Sequence, residues 1–97
     1  MEFQIKNIQE SINSLMRRIG YQPAYFQKEG EVSIVRQLSR NDYPRFHVYI
    51  RQAGSDMNFS LHLDQKKPSY EGSTGHSGDY DGSVVEDEAE RIKSLLQ

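Results

Sequence analysis

Ile5, Ile8, Ile12, Leu15, Met16 and Ile19 recur at steps of three and four. That is the spacing of one face of a helix, and it predicts an amphipathic helix over residues 4–19. Arg17 and Arg18 fall in its last turn, where cations suit the helix dipole, and Gly20 is a natural stop. Pro23 interrupts the pattern, and residues 24–28 can add a short strand before the Glu29-Gly30 turn. Val32, Ile34 and Leu38 keep a period of two and predict a strand over 31–38.

A hairpin is the best-defined feature. Phe46, Val48 and Ile50 alternate with His47, Tyr49 and Arg51. After the turn residues Gln52 to Asp56, Phe59, Leu61 and Leu63 alternate with Asn58, Ser60, His62 and Asp64. One register gathers the apolar set on one face: Phe46 opposite Leu63, Val48 opposite Leu61, Ile50 opposite Phe59. A slip by one residue would turn half of them to water. The same register sets His47 opposite His62, Tyr49 opposite Ser60, and Arg51 opposite Asn58 on the other face.

Residues 65–83 show no hydrophobic period and read as a long Gly/Ser-rich loop, a kind of segment often tied to function. Val85, Ala89, Ile92 and Leu96 predict a second amphipathic helix over 84–96, with Ser83 and Glu86 as a capping box. The expected fold is α+β: one domain over residues 1–97, a two-layer sandwich in the order helix, three antiparallel strands (four if 24–28 joins), helix. Both helices should cover the Phe46 face, leaving the His47 face polar and open.

Composition narrows the function classes. Ninety-seven residues fit a single domain, and ten aromatics argue against disorder. With no Cys, disulfides and thiolate metal sites are excluded. No apolar run is long enough to span a membrane and no signal-peptide pattern opens the chain, so the expectation is a cytoplasmic protein without a membrane partner. Residues 1–70 carry ten Lys/Arg against seven acids, whereas 71–90 carry seven acids and no base. That acidic end disfavours wholesale wrapping by nucleic acid.

The stretches Tyr43-Pro44-Arg45-Phe46-His47, His62-Leu63-Asp64-Gln65-Lys66-Lys67-Pro68-Ser69-Tyr70-Glu71-Gly72 and His76-Ser77-Gly78 resemble a group of small uncharacterised bacterial proteins. The resemblance spans about half the chain, through hairpin and loop, and implies no activity.

Four constellations carry possible chemistry. First, His47 and His62 face each other, Asp64 follows on the same face, and His76 in the loop can fold over it. These nitrogen and oxygen ligands suit Zn²⁺, against the plain reading of polar residues on a wet strand. Second, Asp64-Gln65-Lys66 with Asp42 imitates a Mg²⁺ nuclease site in which Lys66 polarises water. This and the helix–strands–helix order are similar to PD-(D/E)xK nucleases, although Asp42 follows Asn where that pattern has Pro. Third, Arg36, Arg40, Arg45, Arg51, Lys66 and Lys67 with Tyr43, Tyr49 and Tyr70 offer phosphate contacts and stacking platforms for nucleic acid. The element order is similar to double-stranded-RNA-binding domains, but the last helix is acidic where theirs should be basic. Fourth, Ser77 to Gly82 with Glu88 imitates a calcium loop, and helix capping explains the same residues more simply. No Ser-His-Asp set stands out, and Gly72-Ser73-Thr74-Gly75 lacks the Lys-Ser/Thr of a phosphate loop.

The leading expectation is a small binding domain, not an enzyme, working through its polar sheet face. His47, His62, His76 and Asp64 are its candidate zinc ligands, and Arg45, Tyr49, Arg51 and Lys66 its candidate contacts. The alternative is a Mg²⁺-dependent nuclease or hydrolase using Asp42, Asp64 and Lys66, or a nucleic-acid-binding module on the same face.

Overall fold

Phe3 and Ile5 alternate with Glu2 and Gln4, and at the N-terminus this two-residue rhythm prevails over the helical one. In the computed structural model, which describes residues 1–66, 78–79 and 82–97, Glu2–Ile5 is a strand, β1. The helix expected over 4–19 is therefore cut to its second half, α1, Ile12–Ile19. Asn7 causes the break. It adopts a left-handed backbone (φ 58°), its N–H donates to Asp56 Oδ1 at 3.2 Å, and Ile8 N donates to Ser55 O at 2.8 Å. Those bonds fold the chain over the hairpin tip. α1 then starts afresh with Ser11 as N-cap, its hydroxyl accepting from Ser14 N at 3.1 Å.

The remaining elements are β2 (Gln22–Pro23), β3 (Val32–Gln37), β4 (Arg45–Ala53), β5 (Asp56–Asp64), β6 (Gly78–Asp79) and α2 (Ser83–Leu96). The sheet is antiparallel in the order β1-β5-β4-β3-β2, and β6 also pairs with β5. Because β4 occupies one edge of β5 throughout, β1 and β6 share the other. The protein is thus α+β, with two helices and more strands than expected among the described residues.

The expected hairpin register is observed, pair for pair, from Phe46↔Leu63 to Arg51↔Asn58. Phe3 and Ile5 join the same apolar face opposite Phe59 and Met57, and Val32 and Ile34 join it opposite Ile50 and Val48. Leu15 and Ile19 of α1 and Val85, Ala89 and Ile92 of α2 close over it, as expected. No described helix is long and apolar enough to cross a membrane.

Two local expectations are corrected. The extra strand lies at 22–23, not 24–28. Gln27 accounts for this: Ala24 N still donates to Ser33 O at 2.9 Å, but the Gln27 side-chain amide accepts from Ser33 N at 2.9 Å and donates to Ala24 O at 2.9 Å, taking the two backbone groups whose bond would carry the strand on. Tyr25 and Phe26 are left exposed. At α2 the N-cap is Gly82, not Ser83. Glu86 N donates to Gly82 O at 2.9 Å, so the first helical bond already closes on the glycine. The loop expected over 65–83 falls mostly outside the described residues; within it, β6 is a strand.

Gly20 ends α1 in the left-handed conformation (φ 83°), and Tyr21 N closes back on Met16 O at 2.9 Å. An added Cβ would meet Arg36 Cδ at an ordinary 3.7 Å, so only the backbone resists substitution. Gly20→Ala is expected to cost about 1–2 kcal/mol in urea unfolding. An unchanged midpoint would contradict this account of the helix stop.

Candidate metal centre

Alternation along β3, β4 and β5 carries Ser33, His47 and His62 to the face away from the helices. Asp64 follows His62 by one full pleat, opposite Arg45. The expectation that this face is open holds only in part. Its Arg51 end is exposed, but Ser33, His47, His62 and Asp64 are all buried. The rings cover one another. The centroid of His47 is 4.4 Å from that of Tyr49 and 4.9 Å from that of His62, and Tyr49 and His62 stack at 5.7 Å.

Asp64 is the hub. His47 Nδ1 lies 3.1 Å from its Oδ2, and His62 Nε2 lies 2.8 Å from its Oδ1. Arg45 Nε approaches Oδ2 more loosely, at 3.4 Å. Burial alone would push the Asp64 carboxyl up. The hydrogen bonds from His47 and His62, together with their charge, outweigh burial and hold it well below the usual carboxylate range. A buried carboxylate whose ionised form is favoured therefore sits between two imidazoles.

The ligand atoms of His47, His62 and Asp64 all lie within 4.8 Å of one another. Ligands 2.0–2.2 Å from a tetrahedral zinc stand roughly 3.3–3.6 Å apart, so an ion fits with shifts of about half an ångström. It would replace the protons now shared between nitrogen and oxygen. The far side of His47 is also held, since its Nε2 is 2.5 Å from Ser33 Oγ. With Nε2–H donating to that hydroxyl, the lone pair of Nδ1 faces the site, as outer-shell support of a metal-binding imidazole requires.

The opposite tautomer gives different chemistry. Nδ1–H on Asp64 and an Nε2 lone pair on the Ser33 hydroxyl would reproduce the order of a Ser-His-Asp triad, a set that sequence reading did not bring forward. Two features weigh against it. Ser33, the second residue of β3, is only 5% exposed, and Asp64 divides itself between two imidazoles where a triad needs one.

His76 lies outside the described residues, as do Lys67 and Tyr70. Asp42 is exposed on the β3–β4 connection, where its carboxylate accepts from Gln37 Nε2 at 3.1 Å. Lys66 is exposed beyond the end of β5. Arg51 is bonded to Glu31 Oε2 at 2.9 and 3.1 Å. Together with Glu2, Gln4, Tyr49, Asn58 and Ser60 these two line an open groove of about 690 Å³ beside the imidazoles.

A second polar cluster, on the helix side of the sheet, gathers Glu88 of the calcium-like pattern and Arg36 of the basic-aromatic set in a way that neither expectation foresaw. Glu88 of α2 is 3% exposed and accepts from Tyr21 Oη at 2.6 Å, from Arg36 Nε and Nη2 at 3.1 and 3.0 Å, and from Arg91 Nε and Nη2 at 2.7 and 2.9 Å. Arg91 also donates to Ile19 O, at the end of α1, at 2.6 Å. The visible signal is position: residue 88 lies three after Val85 and four before Ile92, on the apolar stripe. With its carboxylate fully engaged, this cluster ties helix to sheet.

Set against family models, curated proteins and solved structures, the chain finds no match, so its function is argued from this geometry alone.

Proposed function

We propose that the protein is a small binding domain whose working surface is the His47 face of the sheet, and that His47, His62 and Asp64 hold a zinc ion there. One observation carries the reading: two imidazole nitrogens converge on a single buried carboxylate, at 3.1 and 2.8 Å. Two nitrogens and an oxygen form a donor set that suits zinc better than magnesium, which prefers oxygen ligands and retained water. That preference, and the engagement of the exposed Asp42 carboxylate with Gln37 Nε2 rather than with Asp64, favour zinc binding over the Mg²⁺ nuclease reading.

The test is a calorimetric titration of tag-free, metal-stripped protein with Zn²⁺. One ion should bind per chain, and His62→Ala should abolish the heat. Absence of binding by the wild-type chain, or equal binding by His62→Ala, would remove the reading.

A further inference from the structure

We infer that the zinc-loaded centre binds a terminal phosphate group, held between the ion and the Arg45 guanidinium. The inference rests on the zinc reading above and adds to it the class of ligand.

Charge is the first reason. The ion brings two positive charges and Arg45 a third, while Asp64 supplies one negative charge at a position only 8% exposed. Neutral imidazoles contribute none. Arg45 keeps 22% of its side chain exposed, but two uncompensated positive charges beside the buried His47, His62 and Asp64 are still costly, and a dianion removes the imbalance. A phosphomonoester carries roughly −1.5 to −2 at neutral pH, whereas a carboxylate or a phosphodiester carries a single charge.

Geometry is the second. Three protein ligands among the described residues leave a tetrahedral ion one position for an incoming oxygen. Arg45 stands directly across the strand pair from Asp64, with its guanidinium carbon 4.6 Å from the Tyr43 ring centroid. The ring fixes the plane of the fork. Only Nε meets an acid among the described residues, and at 3.4 Å it does so loosely. An ion drawing on Oδ2 would weaken that contact and leave the guanidinium to pair with phosphate oxygens, for which its fork is shaped.

Cobalt(II) can replace zinc in the full-length chain, and its visible absorption reports each event separately. Inorganic phosphate and phenyl phosphate should shift the cobalt bands saturably, at concentrations at least tenfold below those at which acetate or dimethyl phosphate acts. Arg45→Gln should weaken the phosphate response at least tenfold while still binding cobalt, and Arg45→Lys, which keeps the charge but loses the fork, should fall between. Circular dichroism verifies folding, and either variant alone suffices. Cobalt bands indifferent to phosphate, or equally sensitive in the Arg45 variants, would overturn the phosphate site and leave the metal centre standing. A diester matching the monoester would overturn the choice of a terminal phosphate. Absence of cobalt bands in the wild-type chain would overturn the centre itself, and the phosphate site with it.

Discussion

Glu88→Ala is expected to lower the free energy of unfolding by about 3–5 kcal/mol, the usual cost of removing one member of a buried ionic cluster. That is a large part of the roughly 5–15 kcal/mol available to a domain. The substitution strands Arg36 and the Tyr21 hydroxyl beneath α2 and takes from Arg91 the carboxylate that steadies it against the end of α1. Urea unfolding measures the loss directly. A change below about 1 kcal/mol would rank the cluster with ordinary surface pairs. Acid gives an independent reading. Burial pushes the Glu88 carboxyl up, but hydrogen bonds from Arg91, Arg36 and Tyr21 outweigh it and hold the group below its ordinary value of 4.5. The unfolded chain then takes up the proton first. The stabilisation is complete above that ordinary value and is lost as pH falls toward the lower folded one. Wild-type urea midpoints should therefore drop on acidification below about 4.5, and Glu88→Gln should flatten part of that drop.

Zinc at a hundred times its dissociation constant should stabilise the folded chain by about 2.7 kcal/mol, raising Tm by roughly 10–20 °C for a domain of this size. Asp64→Ala should erase the rise, because both imidazoles then lose the oxygen around which they are arranged. Ser33→Ala should keep the site but weaken zinc binding about 10–100-fold, the usual effect of removing support behind a metal-binding imidazole. Differential scanning calorimetry with and without zinc checks the first, and titration the second. A zinc-induced rise that persists in Asp64→Ala would place the ion elsewhere.

The hairpin was legible because alternation and a tight turn leave a single register that buries every apolar residue. His47, His62 and Asp64 came together from that fact alone. Ser33 was not legible in the same way. It lies opposite Tyr49 and reaches His47 diagonally, through a pairing of β3 with β4 across the longer connection over residues 38–44 that local pattern does not determine. The N-terminal helix was overextended because Ile5 satisfies both a helical and a strand rhythm, and only its long-range pairing with Met57 decides between them. In the sequence Glu88 reads as the end of a calcium-like pattern or as one acid of an acidic helix. Its Arg36 and Tyr21 partners lie 52 and 67 residues away in sequence, beyond the reach of local reading. Residue by residue the His47 face reads as polar and open, whereas in the fold the rings of His47, Tyr49 and His62 on adjacent strands shield one another.

The outermost strands give the sheet a way to stay finite. On one side β2 is two residues long and ends in Pro23, which has no N–H to offer an incoming strand. On the other, the outer edge of β5 is divided between the short segments β1 and β6. Neither border presents the long, flat ladder on which chains stack into fibres.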